Sequence, residues 1–238
     1  MNAILAGLAV FGPPAQVIDY GNHLINPSHA GAYTPIGWSN DEQWWARDTE
    51  LNGGGAMSRA ERVVASVLDS RIKAYWYWDE NDPATQLTWL DSVSADTFTS
   101  LGIAGGTTGH LIYQFPVSFF QSNQKLKPFS QLKMQYTFTL QGVNHTVSLS
   151  QEWEPNWTTV SPPDPGPVRY RRAKVSVSVD GEHIGEAHFD DTFGYSIDRI
   201  YLSPGRDTIA VSLARFTVVW FEGVNLVAER RALVARYR

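Results

Sequence analysis

The sequence predicts an all-β protein, built mainly from antiparallel hairpins and meanders, with one helical insertion near residues 83–101. Three observations carry that prediction. Strand-length stretches alternate polar and apolar residues, as in Lys174–Asp180 (KVSVSVD), where Val175, Val177 and Val179 share one face. Turn pairs such as Asp180-Gly181 sit between such stretches and join them as hairpins. Aromatic residues reach 13%, with nine Trp in 238 residues, and many of them fall in short runs with β-branched neighbours, where strand propensity is high.

Taken in order, the chain starts with MNAILAGLAVFGPPAQ, whose apolar run from Ala3 to Phe11 has no Lys or Arg before it. A complete signal peptide needs that positive region, so residues 1–15 read as a signal-peptide remnant or as an apolar first strand. On balance this favours an extracytoplasmic location over a cytoplasmic one. Residues 35–45, PIGWSNDEQWW, place polar turn residues between two apolar strand ends. LNGGGAMS (51–58) is a flexible connection. Ser58-Arg-Ala-Glu61 spells a helix capping box, and Val63, Val64, Val67, Leu68 and Ile72 fit a helical stripe. Against this, RVVASVLD and IKAYWYW are rich in β-branched and aromatic residues and are separated by the turn-like Asp69-Ser70, so two strands are predicted over 59–76. Asp82-Pro83 makes a good N-cap and first-turn pair. Leu87, Leu90, Phe98 and Leu101 then lead to Gly102, a natural C-cap, which gives the helix.

GIAGGTTGH (102–110) is glycine-rich but joins no strand to a helix N-terminus, so it is not read as a phosphate cradle. From about residue 110 strands dominate. Tyr136, Phe138 and Leu140 alternate, a Gln-Gly-Val-Asn connection follows, and Val147 and Leu149 alternate back. SPPDPGP (161–167) excludes helix or central strand. Thr208–Ala214 repeats the alternation with Ile209, Val211 and Leu213 inward. The organisation is a single domain over 1–238, divisible into a meander plus helix (1–110) and an antiparallel lobe (111–238).

Ile36-Gly37-Trp38-Ser39-Asn40-Asp41, followed by Gln43–Arg47, resembles the first hairpin of a repeat in TolB-type or WD40-type propellers. A second copy is Ile200-Tyr201-Leu202-Ser203-Pro204-Gly205-Arg206-Asp207, followed by Thr208–Ala214. Ser and Asp side chains would tie down each turn while the flanking strands send alternate residues inward. Glu42 stands where the repeat's Gly usually lies, and Gly205 and Asp207 are displaced from the usual order. Residues 35–79 would make a four-stranded meander of about one blade. The copies lie 164 residues apart, however, whereas blades repeat every ~40–45 residues. Blade-like hairpins are therefore expected, with a small degenerate five-bladed propeller as the alternative fold. The order of elements also resembles a loose group of uncharacterised bacterial proteins, often exported or lipid-anchored. The matching residues are Gly37–Asp41, Asp207–Val211 and Trp220-Phe221-Glu222-Gly223. That resemblance implies fold and export, and assigns no catalytic residues.

Composition narrows the function classes. Hydrophobic residues make up 43% and charged residues 18%, a globular balance. With no cysteine, thiolate zinc sites, disulfides and cysteine nucleophiles are excluded. No stretch approaches the ~20 apolar residues of a membrane span. The net charge of −5 divides into −7 over residues 1–119 and +2 over 120–238. Arginines 169, 171, 172, 230, 231 and 236 could form a polyanion-binding surface, but edge-strand charges that block aggregation explain them better, and nucleic acid is not an expected partner.

No G-x-S-x-G, H-E-x-x-H, Walker or G-x-G-x-x-G motif occurs, and no cofactor is implied. Two constellations remain. Glu152 and Glu154 flank Trp153, with Trp157 nearby (EWEPNW); a Trp-lined groove with two acids is what a glycosidase needs. Acids two residues apart on one strand, however, sit on the same side of any substrate, ~7 Å apart between Cα atoms. His183, His188, Asp190 and Asp191 are the other group. On one regular strand the two histidines would face opposite ways, and only a bend at Gly185 would bring them together as metal ligands. The leading reading is a non-enzymatic binding or structural module with a protein or saccharide partner and exposed Trp. The runner-up is a carbohydrate-active hydrolase using Glu152 and Glu154.

Overall fold

The computed structural model describes residues 25–30, 33–52, 58–69, 71–79, 89–103, 107–115, 130–131, 133–160, 168–192, 194–220 and 224–236. The first strand, β1, is Ile25–Ala30. An antiparallel meander follows: β2 (Tyr33–Trp38), β3 (Trp44–Asn52), β4 (Ser58–Ser66) and β5 (Ile72–Asp79), paired in that order. Helix α1 (Trp89–Leu101), β6 (His110–Gln114) and the short β7 (Ser130–Gln131) come next. A second meander comprises β8 (Gln135–Leu140), β9 (Val143–Val160), β10 (Val168–Val179) and β11 (Glu182–Thr192). The chain closes with β12 (Gly194–Leu202), β13 (Thr208–Trp220) and β14 (Val224–Arg236). These three join β1 and β6 in the order β1-β14-β13-β12-β6, with β7 also on β12.

The β-branched runs prevail over the helical stripe at 59–76: both segments are strands, paired from Arg59↔Asp79 to Ala65↔Ile72 with a register shift between Val64 and Ala65. Helix α1 ends where Gly102 was expected to cap it. Gly102 adopts φ +63°, its N–H bonds to the Thr99 carbonyl, and the Ile103 N–H reaches back to Phe98 at 2.9 Å. That double return is the Schellman motif. The proposed helix start at Asp82-Pro83, the N-terminal residues 1–15 and the SPPDPGP loop lie outside the described residues.

Three sheets stack face to face, with the β12–β14 sheet in the middle. Phe138, Leu140, Val147, Leu149, Val175 and Val177 of the second meander pack on Ile197, Ile200, Leu202, Ile209, Val211 and Leu213 of the central sheet. On the central sheet's other face, Tyr201, Ala210 and Val234 meet Trp38, Trp45, Ala65 and Val67 of the first meander. The alternation along β13 therefore means something other than half-burial. Ala210, Ser212 and Ala214, between the apolar positions, are buried too. The small Ala210 leaves room for the two tryptophans to pack against this face. The first meander's outer face is covered by α1, whose Phe98 and Leu101 pack beside Ala46, Val64, Ile103 and Trp76. Among the described residues the three sheets form an open stack and do not close into a ring or barrel.

The two Ser-containing turns have one geometry. Ser39 N–H bonds to the Trp44 carbonyl and Ser203 N–H to the Thr208 carbonyl, both at 3.0 Å. Ser39 Oγ accepts from the Trp44 N–H at 3.0 Å, and Ser203 Oγ from the Thr208 N–H at 3.3 Å. Glu42 and Arg206 take the left-handed position, at φ 56° and 66°. The turns also touch, since the Gly205 N–H donates to Glu42 Oε1 at 2.6 Å. A side chain at 205 would place its Cβ 2.9 Å from that oxygen.

Candidate functional site

The tryptophans whose side chains are described are all at least half-buried. Trp38 and Trp45 are 0% and 1% exposed, and Trp44, Trp76 and Trp78 are half-buried. Trp38 and Trp45 pack with ring centroids 4.6 Å apart and planes tilted by 49°, and Trp45 meets Tyr201 at 5.6 Å, so this cluster is core. The side chains of Trp89, Trp153, Trp157 and Trp220 lie outside the described residues. Among the described residues the exposed large aromatics are tyrosines. On β5, Tyr75 is 50% and Tyr77 43% exposed, while the alternate positions face α1, with Trp76 edge-on to Phe98 at 6.2 Å. Ile72 at the start of β5 and Leu68 in the preceding turn are also exposed, at 62% and 87%.

This surface is braced from neighbouring strands on the same face of the sheet. Arg47 on β3 is buried and donates to Thr49 Oγ1 and, at 3.1 Å, to Glu61 Oε1. Glu61 in turn accepts from the Tyr75 hydroxyl. Partial burial raises the Tyr75 pKa, and the Glu61 carboxylate and Tyr77 raise it further. The phenol therefore stays a neutral donor, held by a carboxylate that a buried guanidinium fixes. The result is an aromatic ring of restricted freedom on an exposed strand, which lowers the entropic cost of a contact. Among the described residues β5 pairs with β4 alone and is the last strand of its sheet.

The acidic constellation at 152–157 is split by the strand register. Glu152 is exposed and lies opposite Lys174, whereas Trp153 lies opposite Ala173, which is buried. Adjacent strand residues alternate faces, so the backbone does not set Glu152 and Trp153 along one groove. Trp157 pairs with Arg171 beyond a register shift, and the side chains of Glu154 and Trp157 lie outside the described residues.

The histidine group is rearranged by a bulge. The register of β10 and β11 shifts between Val177 and Ser178, pairing His183 with Ser178 and His188 with Lys174. Ser178 and Lys174 share the face opposite the buried valines, so His183 and His188 both lie on the outer, exposed face. The expectation of opposite faces assumed a regular strand, and the irregularity removes it. There Glu186 accepts from Lys174 Nζ at 2.6 Å, and His188 Nε2 stands 3.9 Å away. The Lys174 ammonium chiefly holds the Glu186 carboxyl below its ordinary range, with both histidines adding to the effect. Among the described residues no three His, Asp or Glu side chains converge as metal ligands. The side chains of Asp190 and Asp191 are not among those described, nor are those of arginines 169, 171, 172, 230 and 231. No helix among the described residues is long and apolar enough to cross a membrane.

Sequence reasoning passed over Tyr75 and Tyr77. The signal was present in IKAYWYW, where aromatics occupy both strand faces at the end of a meander. An edge strand with a second aromatic face has nothing from its own sheet to cover it. Compared with protein-family models, curated proteins and solved structures, the chain matches none of them.

Proposed function

We propose that this protein is a non-enzymatic β-rich binding or structural module whose contact surface is the β4–β5 hairpin and the outer edge of β5. One observation carries the reading. Of the six exposed large hydrophobic side chains among the described residues, four (Leu68, Ile72, Tyr75 and Tyr77) fall on this one hairpin. Scattered exposed apolar residues need no explanation, but a concentration on one element is the mark of an interaction surface. The Arg47–Glu61–Tyr75 chain supports it, because a solvated strand has no need of a buried guanidinium to hold an exposed phenol in place. The Glu152 surroundings favour the hydrolase reading less: across the sheet Glu152 faces Lys174 and then His188.

A panel of oligosaccharides and extended peptides, titrated against the wild type and a Tyr75→Ala/Tyr77→Ala variant, tests this. The expected result is a saturable ligand whose binding falls by at least about tenfold in that variant and is unchanged in Leu111→Ala. Turnover of a saccharide that disappears in Glu152→Gln would overturn the module reading in favour of hydrolysis.

A further inference from the structure

We infer that the layer between the first meander and the central sheet holds ordered water molecules, bound by the indole N–H groups of Trp38 and Trp45 and by the hydroxyls of Thr208 and Ser212. All four side chains are buried, Thr208 at 1% and Ser212 at 0% exposure, and among the described residues none of these polar atoms has a hydrogen-bond partner. They share one layer. Trp38 and Trp45 pack on Ala210, and Thr208 and Ser212 stand two residues to either side of Ala210 on β13, on the same face. The pairing of β13 with β14 runs through this stretch without a shift, setting Thr208, Ala210 and Ser212 opposite Arg236, Val234 and Ala232. Val234 and Ala232 pack in the same cluster as the tryptophans.

Leaving four polar groups bare in a core is strongly unfavourable. Each loses its hydration without gaining a partner, and together they would offset a large share of the stability of an ordinary domain. On the opposite face of the central sheet the buried Tyr195 hydroxyl is given a protein partner, donating to Gln151 Oε1. Water supplies what the four groups lack. An indole N–H only donates, so the two tryptophans cannot satisfy each other, whereas a hydroxyl both donates and accepts. A water that accepts from an indole and shares a second bond with a hydroxyl has the two polar partners an internal water needs. Thr208 and Ser212 lie ~13 Å apart along the strand, so one molecule cannot serve both and at least two are required. An anion fits less well. The cluster around the tryptophans is uncharged, and the guanidinium of Arg199, across from Ser212, bonds to the Tyr201 hydroxyl and stands 3.8 Å from Asp198 Oδ2. At the rim of this layer the Gly205 N–H meets Glu42 Oε1, and the water carries hydrogen bonding between the two sheets into the interior.

A high-resolution crystal structure of the wild type, with thermal melts of Thr208→Val and Ser212→Ala, tests the inference. Ordered water is expected within hydrogen-bonding distance of each indole nitrogen and each hydroxyl. Each substitution nearly keeps the shape of the side chain and removes one ligand of a water, so each should lower the melting midpoint by about 2–4 °C. Bare hydroxyls give the opposite sign, since deleting an unpartnered buried group is stabilising. A layer without water, direct bonds between the indoles and the hydroxyls, or a midpoint unchanged or raised in either variant overturns the inference. So does a halide at the indole nitrogens, identified by anomalous scattering from bromide-soaked crystals. If a variant does not fold, the wild-type electron density decides alone.

Discussion

The carboxylate of Asp180 joins two hairpin ends. Its Oδ1 accepts from the Thr146 N–H and its Oδ2 from His145 Nδ1, each at 2.7 Å, while its own N–H bonds to the Thr146 carbonyl at 2.8 Å. Asp180 sits at φ 52° and Gly181 at 86°, the two positive angles of a type I′ turn. Burial pushes the Asp180 pKa up, but the Thr146 amide and the His145 ring outweigh it, and the group lies below its ordinary value. The sign follows from that direction. The folded state binds the proton more weakly than the unfolded chain, so the contribution is complete above the ordinary aspartate range. It is lost as pH falls through that range and then through the lower folded value. Asp41 is lowered as well, chiefly by the Ser39 hydroxyl, and adds in the same direction. Thermal melts across acid pH should show the midpoint falling below about pH 4, less steeply in Asp180→Asn. At neutral pH that variant should lose on the order of 1 kcal/mol, a modest amount because the side chain is partly solvated. A wild type and variant with parallel pH profiles would mean the carboxylate contributes nothing. The turn was readable from Asp180-Gly181, but its tie to His145 was not, since the partners are 35 residues apart.

Helix α1 covers the first meander, and one side chain anchors it. Arg62 on β4 is buried and grips Asp48 on β3 with Nε and Nη2, both at 2.8 Å. Its Nη1 reaches Ser94 at 2.8 Å and Asp91 at 2.9 Å on the helix, and the Phe98 ring lies 5.5 Å from the guanidinium carbon. Breaking a buried pair by removing one partner strands the other charge, so Arg62→Leu should cost about 3 kcal/mol. The loss should appear in denaturant unfolding and in faster amide exchange across 90–101. Unchanged exchange there would mean that the apolar contacts of Phe98 and Leu101 hold the helix alone. The element itself was legible from Leu90, Phe98, Leu101 and Gly102. Its anchor was not: Arg62 stood within a segment whose Ser58–Glu61 start imitates a helix cap, and only the pairing of β3, β4 and β5 shows which face the arginine occupies.

At the scale of the molecule, the central sheet is the common floor of both cores. Leu213 faces the second meander, while Ala210 faces Trp38 and Trp45. Unfolding the central sheet must expose both cores together. Leu213→Ala leaves a cavity in a fully buried position and should cost about 2–5 kcal/mol. It should lower the midpoint reported by tryptophan fluorescence, to which Trp38 and Trp45 on the opposite face contribute, together with that reported by far-ultraviolet circular dichroism. A tryptophan transition left in place while the other moves would show that the two cores unfold separately. The outer sheets also show why the stack is open. Extending it past the second meander would bury Thr137, Thr146, Ser148, Ser176 and Ser178 on that meander's outer face, where buried hydroxyls would each need a partner. At the other end α1 already occupies the first meander.

By itself the sequence determined the strand content, the turns at Asp180-Gly181 and Gln141-Gly142, the helix end at Gly102 and the lack of thiol chemistry. Each of these depends on neighbours a few residues apart. Only the tertiary structure decided which faces are covered. Trp38 and Trp45 are core because Ala210 and Val234, far along the chain, come to lie against them. His183 and His188 share a face because one register shift intervenes between them. Tyr75 and Tyr77 are exposed because β5 is the last strand of its meander. Local pattern fixes the period of a strand, but burial is a property of whatever the fold sets on each side of it.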